Sequence, residues 1–281
     1  MWIPKKVAER MITSIKKMLP ILQQQRSRDV SEADTVTLVK DLLSDVFGYD
    51  KYAELTGELA IRGTYCDLAI KLEDKITQLI EVKAIGLSLD DRYVKQAVDY
   101  AANQGIEWVL LTNGIIWRMY HVIFQKFIDK QLVAELDIMT IDLRKERDLE
   151  LLYHFTKEGF EKGLHIELRD RQDAMSRFLI AALLTENKAV VGAIRRELKK
   201  IADANISDDD LIPVLRNEVI KREALEGPQA EATLARVKRA LARAAKDQSK
   251  PVAAETFSAN TDQPVIAAAA ASQHESEGSN K

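Results

Sequence analysis

Residues 65–72, Tyr-Cys-Asp-Leu-Ala-Ile-Lys-Leu, alternate in polarity. Cys66, Leu68, Ile70 and Leu72 fall on one side, and Tyr65, Asp67, Ala69 and Lys71 on the other. A period of two is that of a half-buried strand, and a lone strand is not stable until others pair with it. Glu73-Asp74-Lys75 is a short polar turn, and residues 76–85 read as a second, more apolar strand. The two predict a β-hairpin, which commits this chain to a sheet. Glu81 and Lys83 lie two apart on the second strand, so both side chains leave the same face. The hairpin thus brings Asp67 to a Glu and a Lys. Two carboxylates beside an ammonium can hold a divalent cation and the oxyanion it activates.

The segments on either side extend the sheet and cover it. Residues 1–28 predict a basic amphipathic helix with Val7, Met11, Ile15, Met18 and Leu22 in one stripe. Lys5, Lys6, Arg10, Lys16, Lys17, Arg26 and Arg28 outnumber its single acid, Glu9. Such a face is either a solvated surface or a phosphate-contacting one. Ser31-Glu32-Ala33-Asp34 predicts a helix start, with Val36, Val39, Leu43 and Val46 as its apolar stripe and Gly48 as its stop. Glu32 heads that stripe. The helix dipole alone favours an acid there, and a role in chemistry would place one there equally. Residues 54–62 predict a first short strand. Ser88 with Asp91 suggests another cap, opening a helix that runs to Gln104 and stops at Gly105; Gln96 and Tyr100 share a face of it. Residues 106–111 and 115–122 predict strands joined by the turn dipeptide Asn113-Gly114, with Trp117 and Met119 on one face and Arg118 and Tyr120 on the other. Residues 130–138 predict an edge strand.

From Arg144 onward the apolar spacing is helical only, over 146–160, 168–185, 187–204, 208–224 and 228–246. Arg236, Lys238, Arg239, Arg243 and Lys246 make a second basic face without an acid between them. Residues 247–281, rich in Ala, Ser, Gln and Glu, show no periodicity and predict a disordered tail. The expected organisation is a basic helix at 1–28, an α/β mixed-sheet core at 29–142, a helical region at 143–246 and the tail.

Composition narrows the function classes. The net charge of −3 rules out a bulk polycation, so any nucleic-acid binding must come from local patches. The one cysteine, Cys66, excludes a disulfide framework, fits a reducing cytoplasm and reads as a small core residue. Four histidines and one cysteine make a structural zinc site improbable. The N-terminal stretch lacks the apolar core of a signal peptide, and no run approaches the roughly 20 apolar residues of a membrane span.

Asp67, then Glu81-x-Lys83 on the adjacent strand, with Glu32 on a preceding helix, resembles the PD-(D/E)xK nuclease superfamily. Gln96-x-x-x-Tyr100 on the next helix resembles the Q-x-x-x-Y element that accompanies this site in RecB-type and type I restriction nucleases. Residues 111–120, Leu-Thr-Asn-Gly-Ile-Ile-Trp-Arg-Met-Tyr, resemble the TNG-x-x-W-x-x-Y strand pair of the N-terminal domain of type I restriction enzyme R subunits. The Pro that names the superfamily is replaced by Cys66. No Gly-x-x-x-x-Gly-Lys-Ser/Thr pattern is present, so no ATP site is expected in this chain.

The resemblance implies a restriction-endonuclease-like mixed-sheet core with flanking helices, followed by an all-helical extension. It implies a hydrolase, an Mg²⁺-dependent endonuclease cutting DNA in restriction, defence or DNA processing, with Mn²⁺ as a substitute. Asp67, Glu81 and the Val82 carbonyl would be the metal ligands, with Glu32 reaching the ion directly, through water, or on a second ion. Lys83 would orient the attacking water or offset phosphate charge, and Gln96 would stand by as an orienting polar group. Tyr100 would touch the DNA backbone, and Lys16, Lys17, Arg236, Lys238 and Arg239 are the candidate phosphate contacts outside the site. Two such cores are commonly needed to cut both strands, which points to a homodimer or a partner protein. The competing expectation is a module on the same fold that holds nucleic acid or a protein without cutting.

Overall fold

The computed structural model describes residues 2–61, 64–124 and 128–248. The predicted hairpin is β2 (Thr64–Leu72) and β3 (Lys75–Val82), antiparallel and joined by Glu73 and Asp74. Both turn residues have positive φ, 49° and 62°, the conformation that matches the twist of two paired strands. β1 (Leu55–Ile61) pairs antiparallel with β2. Helix α3 (Asp91–Gln104) then carries the chain across to β4 (Trp108–Thr112), which lies parallel to β3, from Gln78 beside Trp108 to Val82 beside Thr112. Parallel neighbours require such a crossover. β5 (Ile116–Ile123) and β6 (Asp129–Asp137) add antiparallel pairs, giving one sheet in the order β1-β2-β3-β4-β5-β6.

The alternation of the strands divides the interior into two layers. On one face Leu68, Ile80, Leu110, Trp117 and Met119 pack against α1 (Lys5–Ser27) and α2 (Glu32–Asp45) through Met11, Ile15, Leu22, Val39, Leu42 and Leu43. On the other face Ala69, Leu79, Val109, Leu111, Tyr120 and Val122 pack against α3 through Val94, Ala97 and Ala101. Phe47 meets the Trp117 ring edge-on at 4.8 Å. The α1 stripe is the predicted one. On α2 the buried face is rotated, since Thr35, Leu38 and Leu42 join Val39 and Leu43 while Val36 is only partly covered.

The helical region begins inside the first layer, because Leu152, Tyr153, Phe155 and Leu164 belong to that core. The helices are shorter than the apolar spacing predicts. The stretch 146–160 divides into α4 (Glu146–Tyr153) and α5 (Lys157–Glu161) because Thr156 caps the amide of Gly159. The stretch 168–185 divides into α6 (Leu164–Ala174) and α7 (Arg177–Glu186) because Ser176 caps Leu179. α8 (Lys188–Ala202) and α9 (Asp208–Val214) follow, then a π-helical turn at Leu215–Val219 and a 3-10 turn at Arg222–Ala224 in place of the single helix the spacing predicts. Val191, Leu211 and Leu215 form a small separate core there. α10 (Pro228–Gln248) closes the described part. The expectation for the tail lies, beyond Gln248, outside the described residues. Among the described residues no helix is long and apolar enough to cross a membrane.

Candidate active site

The last paired residues of the hairpin toward the site are Leu68 and Ile80. One step beyond them the ladder bond is replaced by a side chain: the Asp67 carboxylate accepts a hydrogen bond from the Val82 amide at 2.7 Å. Asp67 therefore fixes the end of β3 and lies beside the peptide that carries the Val82 carbonyl. β3 ends here, three residues earlier than predicted, and the Lys83 amide makes the last bond of its parallel pairing with β4, to the Thr112 carbonyl at 2.8 Å.

Glu81 shares the face of Leu79, under α3, and is buried at 7% exposure. The Lys83 ammonium lies 2.8 Å from Glu81 Oε1 and 3.4 Å from Glu32 Oε2. Glu32 is the first residue of α2, beside the cap Ser31, and its carboxylate is about half exposed. Four sequence-predicted residues thus meet at the C-terminal end of β3: Glu32, Asp67, Glu81 and Lys83. Burial pushes the Glu81 carboxyl above the usual glutamate range, the Lys83 hydrogen bond opposes this, and the Asp67 and Glu32 charges add to it. Burial acts to lower the Lys83 pKa, but its hydrogen bond to Glu81 and the three surrounding carboxylates outweigh that and hold it above its ordinary value. Lys83 is an ammonium at neutral pH.

Two further residues, which local patterns did not single out for the site, build its frame. The Thr35 hydroxyl, fully buried, donates to the Ser31 carbonyl at 2.9 Å and accepts from the Ile85 amide at 3.1 Å. The buried Asn113 amide donates to the Leu87 carbonyl at 2.9 Å, and its oxygen accepts from the amides of Ile116 and Ile115. Asn113 is thus more than a turn residue, since it ties the β4–β5 turn to the segment following Lys83. Arg118 adds a third tie, donating to the Leu89 carbonyl at 3.0 Å.

Among the described residues no three His, Cys, Asp or Glu side chains are gathered closely enough to hold a metal ion by themselves. The donor set nevertheless suits a hard cation. Mg²⁺ is bound through one or two carboxylates plus carbonyl, water or phosphate oxygens, and Asp67, Glu81 and the Val82 carbonyl are of that kind.

The other predicted residues are placed as follows. Gln96 is exposed on α3, a helix capped by Asp90 and not by Ser88. Tyr100 is buried in the layer beneath α3, and its hydroxyl has no hydrogen-bond partner among the described residues. Lys16 and Lys17 are exposed on α1, and Lys17 lies 3.5 Å from Asp45. Arg236, Lys238 and Arg239 are exposed on α10. Lys238 pairs with Glu186, while Arg236 and Arg239 line a cleft of about 620 Å³ shared with Lys130 and Arg169. Cys66 is buried, and burial pushes its thiol up to about 12, which suits a core residue and not a nucleophile.

Residues 40–137 match the family described as type I restriction enzyme R protein N terminus, so the resemblance read from the sequence is borne out over the sheet. The match includes Asp67, Glu81, Lys83, Gln96, Tyr100 and Asn113 and begins after Glu32 and Thr35. A search of the curated proteins finds no match. Among solved structures, the cryoEM structure of a DrdV-DNA complex is similar at 17% identity, with a TM-score of 0.31, over 86% of this chain and 25% of that one. This chain spans a quarter of the length of that protein.

Proposed function

We propose that this chain, which carries the type I restriction R N-terminal module at residues 40–137, is a divalent-metal-dependent endonuclease that hydrolyses DNA phosphodiester bonds. The observation that carries the reading is the meeting of Asp67, Glu81, Lys83 and Glu32 at one strand end, with Lys83 ion-paired to both glutamates. A structural ion pair alone would not need the additional carboxylates, whose charges add to the burial that chiefly raises the Glu81 pKa.

Asp67, Glu81 and the Val82 carbonyl would hold Mg²⁺, with Mn²⁺ as its substitute, and Glu32 would complete the set directly or through water. The ion, when bound, supplies Lewis-acid stabilisation of the phosphate and acidifies a bound water. Asp67 accepts the Val82 N–H, and the Lys83 N–H, in the same peptide as the Val82 carbonyl, donates to Thr112, so that carbonyl is held in place before reaction. Lys83 is held beside both glutamates by its ion pairs. It stabilises charge on the phosphate and orients the water by donating to it. Arg26 and Arg28, exposed between the end of α1 and the start of α2, would offer phosphate contacts.

The test is incubation of supercoiled plasmid with the wild type and Asp67→Asn under Mg²⁺, Mn²⁺ or EDTA. Nicking or linearisation by wild type with a divalent ion, lost with EDTA and in Asp67→Asn, is expected. Equal cutting by the variant would refute the site. A wild type that binds DNA and cuts under no metal would assign the chain to the non-cutting class.

A further inference from the structure

Glu32 and Lys83 are 51 residues apart and approach each other from different elements, the start of α2 and the end of β3. α2 packs on the sheet through Val39, Leu42 and Leu43, and near Glu32 the Thr35 hydroxyl adds a hydrogen bond between the two segments. We propose that Thr35 is a positioning residue for the reaction, setting Glu32 against Lys83 and the carboxylates of the hairpin. The inference rests on the nuclease reading above.

The geometry permits one arrangement of the hydroxyl proton. A threonine hydroxyl has one donor and two acceptor positions. Its proton goes to the Ser31 carbonyl, 2.9 Å away, so a lone pair receives the Ile85 amide at 3.1 Å. A threonine that bonds back to the carbonyl one turn earlier is common on helices and by itself means nothing. Here the second bond leaves the helix, to a residue 50 positions away. Ser31 is itself locked, because its hydroxyl accepts from the Asp34 amide and donates to the Asp34 carboxylate. Glu32 lies between Ser31 and Thr35, within one turn of both. Ile85 is two residues beyond Lys83, whose own amide is tied to Thr112. One buried oxygen therefore joins the turn that carries Glu32 to the segment that carries Lys83. Ile85 is 1% exposed, so water cannot replace the hydroxyl if it is removed.

Thr35→Val keeps the shape and the methyl and removes the oxygen; Thr35→Ser keeps the oxygen. Both are compared with wild type in Mn²⁺-supported cleavage of a DNA duplex, with kcat and KM measured well below each melting temperature. Displacing a catalytic group by about 1 Å costs on the order of a hundredfold, so kcat for Thr35→Val should fall by about tenfold or more. KM for DNA should stay within about threefold, because the basic surfaces are untouched, and Thr35→Ser should recover to within about threefold of wild type. Should the Val variant not fold, Thr35→Cys, whose thiol is a poor acceptor, takes its place with the same expectation. A variant that melts lower yet keeps the wild-type kcat would overturn the proposal and leave Thr35 a stability residue. So would a serine variant as slow as the valine one. A wild type that does not cut under any metal removes the nuclease reading and this role with it, a result distinct from an active wild type matched by Thr35→Val.

Discussion

Lys83→Met removes the ammonium and leaves a chain of similar length in a site where the Lys83 side chain is 14% exposed and that of Glu81 9%. Breaking a buried pair by deleting one partner costs about 3–5 kcal/mol, because the remaining charge is left uncompensated. Glu81 can limit that cost by taking a proton. Protonating an ordinary glutamate costs about 1.4 kcal/mol per pH unit above its usual pKa near 4.3, so the ceiling is about 4 kcal/mol at pH 7.5 and about 1.5 at pH 5.5. The sign follows from linkage. The Glu81 carboxyl already titrates above its usual range in the folded chain, mainly through burial. The folded state therefore holds this proton more tightly than the unfolded one, and the contribution of Glu81 to stability falls as pH rises from the ordinary glutamate range through the raised folded pKa. Lys83→Met raises that pKa further and steepens the loss. In metal-free thermal melts with EDTA, the variant should trail wild type by about 6–12 °C at pH 7.5, for a deficit of about 3 kcal/mol, and by less than half of that at pH 5.5. A deficit that is the same at both pH values, or larger in acid, would refute the account of Glu81 as a buried carboxylate held ionised by Lys83.

Asp67→Asn keeps an acceptor for the Val82 amide, so its metal-free melting temperature should match wild type, while the rise in wild type with Mn²⁺, about 2.7 kcal/mol at a hundred times Kd, should disappear in differential scanning fluorimetry. His165 is buried between the Phe160 ring, stacked at 3.9 Å, and the Trp108 ring, and burial lowers its pKa to about 4. Its contribution is intact above about pH 6.5 and is lost as pH falls toward 4, up to about 3 kcal/mol, so His165→Phe should flatten the acid limb of a stability-versus-pH curve. Neutralising Arg236 and Arg239 together to Gln should lower the slope of log DNA affinity against log salt by up to about 0.9 for each phosphate that these arginines neutralise, and an unchanged slope would return α10 to a solvated surface.

What was legible in the sequence was whatever a short window could carry. The alternation of residues 65–72, the five-residue stripe of α1 and the Asn113-Gly114 turn all show their periodicity or turn chemistry within a few residues, and each formed the expected element. The helical region was harder, since Thr156 and Ser176 cap new helices inside stretches whose apolar spacing runs on without a break. At the site, Asp67, Glu81 and Lys83 could be read because one hairpin brings them together. Thr35 could not, because its partner Ile85 is 50 residues away and a threonine on a helix carries no local mark of such a bond. The same applies to Asn113, whose turn role was visible and whose hold on Leu87 was not. Gln96 and Tyr100 share a face by spacing, yet α3 leaves the first exposed and buries the second, a difference set by how the helix lies on the sheet.

Every strand lies beside its neighbour in sequence, so the parts of the site are joined by contacts of very different sequence separation. The β2–β3 hairpin closes over two turn residues, and hairpins of that kind form in microseconds. Asp67 and Glu81 are therefore brought together almost as soon as that part of the chain can collapse. The parallel pairing of β3 with β4 must wait for the longer crossover through α3. Glu32, across 51 residues from Lys83, joins them only through the docking of α2 on the sheet. A folding intermediate with the sheet formed and α2 undocked would carry two hairpin carboxylates and their lysine without the fourth member, so the docking of α2 would be the step that arms the chain.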